Sequence, residues 1–467
     1  MGECCRNDVQ RSGSCGGSMH LTQDEIEDFV TGRCTSDARR RVVRHLVTRC
    51  AVCRHRLLRG FPLLSAKEIR EIEPPMEVDG YDAAIDRARE AVRPVEERWR
   101  AERTRLIEAL EVAQGPRGWE GISIQRTKSL AGWPLVELRL CLSFAARYSD
   151  PAEMEKHADY ARQEAERICP AEYGEGFLAD VRARAWAEYA NALRVNEKYD
   201  EAESALARAR SHIENGDLLI KARVADIEAS LRRAQRRFTE GVRQADEAFR
   251  GYCEIGERHL AGRALINKGI CLYMSGRPAG AVDILQEGLA LVAKGRDRQL
   301  IAAGHQALVN ALVDSGRLAE AGKLLLESGL RQAYASQPLN LLRLRWVEAK
   351  IQAGLGKLES AERAFLEVRE GFFAAGLEYD EALVGIDLAA LWLRQGKVAQ
   401  ARELGEEVNA TFEWKGIPRE ATEAFRFFYG ACRLEAASVD TAERIRGFLG
   451  RLNAEPNLRF EPEELFA

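Results

Sequence analysis

The chain has 467 residues, 46% of them hydrophobic and 30% charged, with a formal net charge of -4. That length exceeds one ordinary domain and can bury a large core, while the near balance of charge gives no overall field for nucleic acid or an anionic membrane surface. No apolar run approaches the roughly 18 residues that a membrane span needs, and the opening MGECCRNDVQRSGSCGGS has no apolar secretory core.

Residues 1–18 read as a disordered leader, with Met19 as a second candidate start. MGECC approaches an acylation signal, but Arg6 stands where that signal requires Ser or Thr. Of the eleven cysteines, six crowd the region up to Cys53, and Cys141, Cys169, Cys253, Cys271 and Cys432 are scattered. An odd total without framework spacing argues against a secreted disulfide scaffold, so a cytoplasmic location is expected.

Residues 19–61 form a separate segment, HLTQDEIEDFVTGRCTSDARRRVVRHLVTRCAVCRHRL at its heart. Thr22 followed by Glu25 is a capping box, with Leu21 and Ile26 placed as the hydrophobic staple. The first helix is expected from about Gln23 to a stop at Gly32. A second is expected from about Ser36 to Val47, burying Val42, Val43 and Leu46. His45 lies near its end, and Cys50 and Cys53 follow as C-x2-C. Such a pair aims two sulfurs at one point, and a histidine on the preceding turn supplies a third ligand. His20 is the preferred fourth, with Cys34 and His55 as rivals. Two thiolates and two imidazoles suit a closed, structural Zn2+ site, and a module this small gains folding free energy from metal. A redox pair is the competing reading of C-x2-C, without the βαβ pattern it would need.

His20, His45, Cys50 and Cys53 resemble the ligand set of the zinc-binding anti-sigma domain. The histidine-to-cysteine spacing here is one residue longer than in that family. The resemblance implies docking onto a sigma factor and inhibition by occlusion. It also implies a possible redox response, since some members lose zinc on oxidation and form a disulfide. Nine arginines lie between Arg33 and Arg59 against one acid, Asp37. They are a partner face, a solvated helix face, or the phosphate contacts of a small nucleic-acid-binding zinc module; the neutral balance of the whole chain argues against the last.

Residues 62–80 carry Pro74-Pro75 and Gly80 and read as a linker. Residues 81–129 read as a helical connector of one or two long helices, with Pro94 as a kink or restart, ending in the loop GPRGWEGISIQRT.

From 130 to 450 the chain repeats itself. Ala202, Gly241, Ala281, Ala321, Ala361 and Ala401 recur at gaps of 39, 40, 40, 40 and 40 residues, with weaker units around Ala158 and Ala442. Ala190, Ala229, Gly269, Ala349 and Ala389 stand twelve residues before such an anchor, and Gly276, Gly316, Gly356 and Gly396 five before it. Small residues let two antiparallel helices approach, and glycine at the turn accepts the left-handed conformation that ends the first helix. One pair cannot bury its apolar face alone, so neighbours stack into a solenoid.

Trp186, Ala190, Tyr199, Ala202 and Ala209 resemble the tetratricopeptide (TPR) pattern, and Phe238 takes its aromatic turn position in the next unit. The period exceeds the family's usual ~34 residues, which implies longer helices. The expected fold is all-α: a small helical zinc-binding module, then a TPR-like α-solenoid of helix pairs, then a C-terminal tail over 451–467. The resemblance implies a partner-binding groove lined by the first helices. By register it would hold Arg263, Asn310, Arg343, Trp346, Lys350 and Arg394, which suits an acidic peptide or a C-terminal carboxylate. Trp346 and Trp392 are expected to serve packing.

No phosphate loop, dinucleotide fingerprint, H-E-x-x-H or G-x-S-x-G occurs. The expectation is a non-enzymatic regulatory adaptor that binds protein partners: a sigma factor at the zinc module, a peptide or protein in the groove. A TPR scaffold unrelated to sigma factors, with the zinc purely structural, is the alternative.

Overall fold

A computed structural model describes residues 21–30, 33–35, 38, 39, 41–43, 82–113 and 130–462, apart from 214, 215, 294, 296, 415, 416 and 456. Its regular elements are all helices; there is no strand among the described residues. None of the described helices is long and apolar enough to cross a membrane. The chain divides into two compact units, Met1–Leu231 with Glu247–Glu257, and Arg232–Asp246 with Arg258–Ala467.

In the first unit, α1 (Gln23–Val30) starts where the capping box places it. The Glu25 N–H donates to Thr22 Oγ1 at 3.2 Å and the Thr22 N–H to Glu25 Oε2 at 2.8 Å. Leu21 and Ile26 are both fully buried, as the staple requires. Residues 38, 39 and 41–43 are helical. Val42 is buried as expected, but Val43 is 45% exposed, so the stripe on this helix is narrower than the sequence implied. Arg41 pairs with Glu25 at 2.9 Å and Arg33 with Asp28 at 3.4 Å, so part of the arginine-rich run is engaged within the chain.

The connector contains one continuous helix, α2 (Asp82–Ala113), and Pro94 lies inside it. There is no restart at the proline. Leu106 and Ala109 of α2 pack with Leu130, Leu135, Leu138 and Leu142. The last three belong to α3 (Trp133–Ala146), which pairs with α4 (Pro151–Arg167). Asp150 caps α4 by accepting from the Glu153 N–H at 3.0 Å. A short α5 (Pro170–Tyr173) leads to the pair α6 (Glu175–Val195) and α7 (Tyr199–His212). Helix α8 (Leu218–Ala234) contributes its residues up to Leu231 to this unit, and α9 (Phe238–Glu254) its last turns from Glu247. Glu102 of α2 accepts from Trp133 Nε1 at 2.7 Å and from the Tyr173 hydroxyl at 2.8 Å, which fixes α2 against α3 and α5.

The second unit repeats one motif: α10 (Arg258–Met274) with α11 (Pro278–Leu291), and α12 (Arg298–Asp314) with α13 (Leu318–Glu327). After a short α14 (Leu330–Ala333) come α15 (Pro338–Gly354) with α16 (Leu358–Ala374), α17 (Glu378–Arg394) with α18 (Val398–Thr411), and α19 (Arg419–Arg433) with α20 (Val439–Ala454). The anchors Ala281, Ala321, Ala361 and Ala401 are buried, as are Ala349 and Ala389 of the first helices. The turn glycines Gly276, Gly316, Gly356 and Gly396 have φ of 76°, 75°, 77° and 72°, the conformation that the spacing predicts. In the two earlier turns the same register falls on Glu197 and Arg236, with φ of 61° and 60°. Beyond α20, Phe460 returns to the core and packs on Phe427 and Phe448.

A candidate partner-binding face on the second unit

In the second unit the first helices α10, α12, α15 and α17 bury one set of side chains in the core and carry polar side chains that meet one another. The Tyr273 hydroxyl of α10 donates to Asp314 Oδ2 of α12 at 2.9 Å, and Lys350 Nζ of α15 lies 2.8 Å from Asp314 Oδ1. Burial works against the Asp314 charge, but Lys350, the Tyr273 hydrogen bond and Arg446 outweigh it and hold the carboxyl below its ordinary range. Burial, with the Asp314 charge behind it, pushes the Tyr273 phenol far up.

A second cluster lies on α15, α17 and α20. Trp346 Nε1 donates to Asp387 Oδ2 at 2.7 Å, Arg446 Nε lies 3.1 Å from Asp387 Oδ1, and the Arg446 guanidinium carbon sits 5.3 Å from the Trp346 ring centroid. The ring also meets Phe372 edge-on. Tyr379, half-buried near the start of α17, is raised by burial and lowered by the charges of Arg446 and Arg236. Residues of α10, α12, α15, α17 and α20 therefore share one electrostatic neighbourhood.

The side chains expected on this face are not a free basic stripe. Arg343 pairs with Asp380 at 3.4 Å, Lys350 with Asp314, and Arg394 with Glu443 at 2.7 Å. Asn310 accepts from Gln306 Nε2 at 3.1 Å, and Arg263 is half-buried on α10. Trp346 and Trp392 both pack as expected, and Trp392 Nε1 donates to Glu362 at 2.7 Å. The sequence reading missed the acids Asp314, Asp380 and Asp387, and it missed Arg446. The acids were legible in principle, since they lie on first helices at neighbouring registers; Arg446 sits on the last helix, outside the column of first helices.

The first unit carries a comparable row. Arg184 lies 2.6 Å from Glu137, Arg223 2.7 Å from Glu188, and Arg223 3.2 Å from Asp226. Burial opposes the Arg223 charge, but Glu188, Tyr252 and Asp226 more than compensate. Asp226 is almost wholly withdrawn from water and Glu188 partly so, so this row reads as a register-fixing ladder.

The expected zinc ligands His20, His45, Cys50 and Cys53, and the rival His55, lie outside the described residues. Cys34, the other rival, is a half-buried free thiol. Among the described residues no group of His, Cys, Asp and Glu could hold a metal ion.

No protein-family model matches the chain, and no curated protein matches it. Among solved structures it is similar to the crystal structure of a Rap protein complexed with competence and sporulation factor. The identity is 11% and the TM-score 0.50, over 69% of this chain and 88% of that one. It is also similar to aspartyl phosphate phosphatase F from Bacillus subtilis, at 11% identity and a TM-score of 0.42 over 94% of this chain and 98% of that one. The first likeness bears on the fold and agrees with the helix pairs described above: the chain carries a TPR-like helical-repeat array. The second is too loose to add to the argument.

Proposed function

We propose that the protein is a non-enzymatic regulatory adaptor whose second unit receives a peptide or a protein segment on the face of its first helices. The observation that carries this reading is the convergence of Tyr273, Asp314, Lys350, Trp346, Asp387 and Arg446, from five helices, on one partly exposed polar and aromatic surface. A polypeptide offers donors, acceptors and apolar side chains in alternation. A surface with carboxylates, cations, a phenol and an indole ring matches that mixture better than it matches a small apolar ligand. The solved Rap protein, similar in fold, was crystallised with competence and sporulation factor, which is consistent with a partner-binding role for such an array.

For the N-terminal segment our reading rests on the sequence alone: His20, His45, Cys50 and Cys53 hold structural zinc, and the module engages a sigma factor. The test is a comparative pull-down from the host under reducing conditions, using the full chain, Trp346→Ala and Cys50→Ser/Cys53→Ser, with zinc quantified in each. Loss of a partner in Trp346→Ala alone, with the melting temperature retained, assigns that partner to the second unit. A sigma factor recovered only with the zinc-loaded chain supports the N-terminal role. Identical partners on all three forms overturn both assignments and favour a scaffold unrelated to sigma factors.

A further inference from the structure

The second helices of the second unit carry a solvent-facing side that the proposed surface of the first helices does not use. Three large apolar side chains stand on it. Leu326 of α13 is 88% exposed, Leu366 of α16 43% and Phe373 of α16 69%. Leu366 and Phe373 are seven residues apart, two turns of one helix, and so lie on one stripe. Leu326 holds the register of Leu366 one forty-residue repeat earlier. The repeat that buries Ala321 and Ala361 alike therefore presents the two leucines in the same way on consecutive second helices. Exposed apolar residues scattered singly are ordinary; a group aligned by register marks a docking surface.

The rim of this group is acidic. Glu370 lies between Leu366 and Phe373 on α16, and Glu327 follows Leu326 on α13. Both are exposed, and neither has an ion pair among the described residues. At the Leu366 register of the next second helix, α18, stands Glu406, whose partner Arg402 is 3.9 Å away. Lys323 and Arg363 are the opposing cations, one turn before the leucines, and on α18 their register falls on Glu403. Acids thus outnumber cations around the apolar group. Such a rim repels an anionic membrane surface, and a second copy of the chain would set acid against acid. A helix with an apolar stripe flanked by Lys or Arg satisfies both the apolar group and the unpaired carboxylates.

We propose that α13, α16 and α18 form a second docking surface, which takes a basic amphipathic helix of a partner protein. The probes are three synthetic helices with one leucine stripe flanked by lysine, glutamate or glutamine, titrated against the full chain by fluorescence anisotropy. The lysine helix should bind about tenfold tighter than the glutamate helix, with a preference that shrinks as salt rises. Leu326→Ser/Phe373→Ser should weaken lysine-helix binding about tenfold at an unchanged melting temperature, because both side chains already face water in the free protein. Glu327→Lys/Glu370→Lys should reverse the preference toward the glutamate helix. Trp346→Ala should bind the lysine helix as the unaltered chain does, which separates this surface from that of the first helices; loss of binding there overturns the assignment and moves the helix to the other face. Equal binding of the three helices, no binding of any, or a lysine-helix affinity untouched by Leu326→Ser/Phe373→Ser also overturns it. Self-association seen by sedimentation and lost in that same variant overturns it in favour of a second copy.

Discussion

Gly262 of α10 and Gly288 of α11 lie backbone to backbone: a Cβ on Gly262 would fall 2.7 Å from the Gly288 carbonyl oxygen, and one on Gly288 would fall 3.0 Å from the Gly262 oxygen. The facing atoms are main chain, so no rotamer change relieves the clash. Gly262→Ala should therefore cost about 1–3 kcal/mol, the usual range for overpacking. Gly276→Ala, at φ 76° in open space, meets only backbone strain of roughly 1 kcal/mol. Urea unfolding of the two variants checks the order. A Gly262→Ala loss no larger than that of Gly276→Ala would remove close approach as the reason these helices pack as they do.

The turn at Glu197 argues in the opposite direction. Glu197 is exposed and adopts φ 61° where the later repeats place glycine. A non-glycine residue in the left-handed region costs about 1–2 kcal/mol, and glycine returns part of that through the freer unfolded chain. Glu197→Gly should stabilise the protein by up to about 1 kcal/mol, visible as a higher denaturant midpoint at constant m-value. A lowered midpoint would mean that Glu197 makes a contact worth more than the strain.

The Asp314 carboxyl gives the second unit a defined acid sensitivity. Its folded pKa is below the ordinary value, so the folded state binds fewer protons than the unfolded one at low pH. Its contribution is complete above the unfolded pKa of ~3.9 and is lost as pH falls through the depressed folded value. Asp314→Asn should lower stability at neutral pH, since Lys350 loses its partner, and should flatten the stability profile below about pH 4. Denaturant titrations of both proteins across the acid range provide the comparison; parallel profiles would exclude Asp314 as the titrating group.

The architecture was legible because it is written in small residues at a fixed interval. Ala281, Ala321, Ala361 and Ala401 are buried where the forty-residue repeat puts them, and glycine marks the turn before each of these four. Close packing leaves few residue types possible at those points, so sequence records them. The polar face was less legible. Lys350 and Arg343 could be placed by register, but their pairing with Asp314 and Asp380 depends on how neighbouring first helices are staggered, which a period alone does not give. Arg446 was invisible for a further reason: it reaches Asp387 and Trp346 from α20, so its role comes from tertiary packing of the last helix. The Gly262–Gly288 contact was hidden likewise, because neither glycine lies in an anchor column. At Pro94 the sequence left one or two helices open, and one helix runs through it, since whether a proline ends a helix depends on the packing of the turns around it.

Near-neutral pH should act through histidine. Burial depresses the pKa of His305 on α12, and a hydrogen bond with the Ser328 backbone offsets only part of that effect. His157 and His212 in the first unit are lowered by burial as well, His157 with the added charge of Arg139. A base with a depressed folded pKa is protonated first in the unfolded state. Its stabilising contribution is therefore present above the unfolded value of ~6.5 and is lost as pH falls through the folded one. All three groups act in the same direction, so the melting temperature should fall between about pH 7.5 and pH 5, above the range where Asp314 titrates. His305→Gln should reduce that drop without abolishing it, because the other two histidines remain. An unchanged drop would place the His305 imidazole in an environment as hospitable to its cation as water, and the burial of its Nδ1 would then have no energetic consequence.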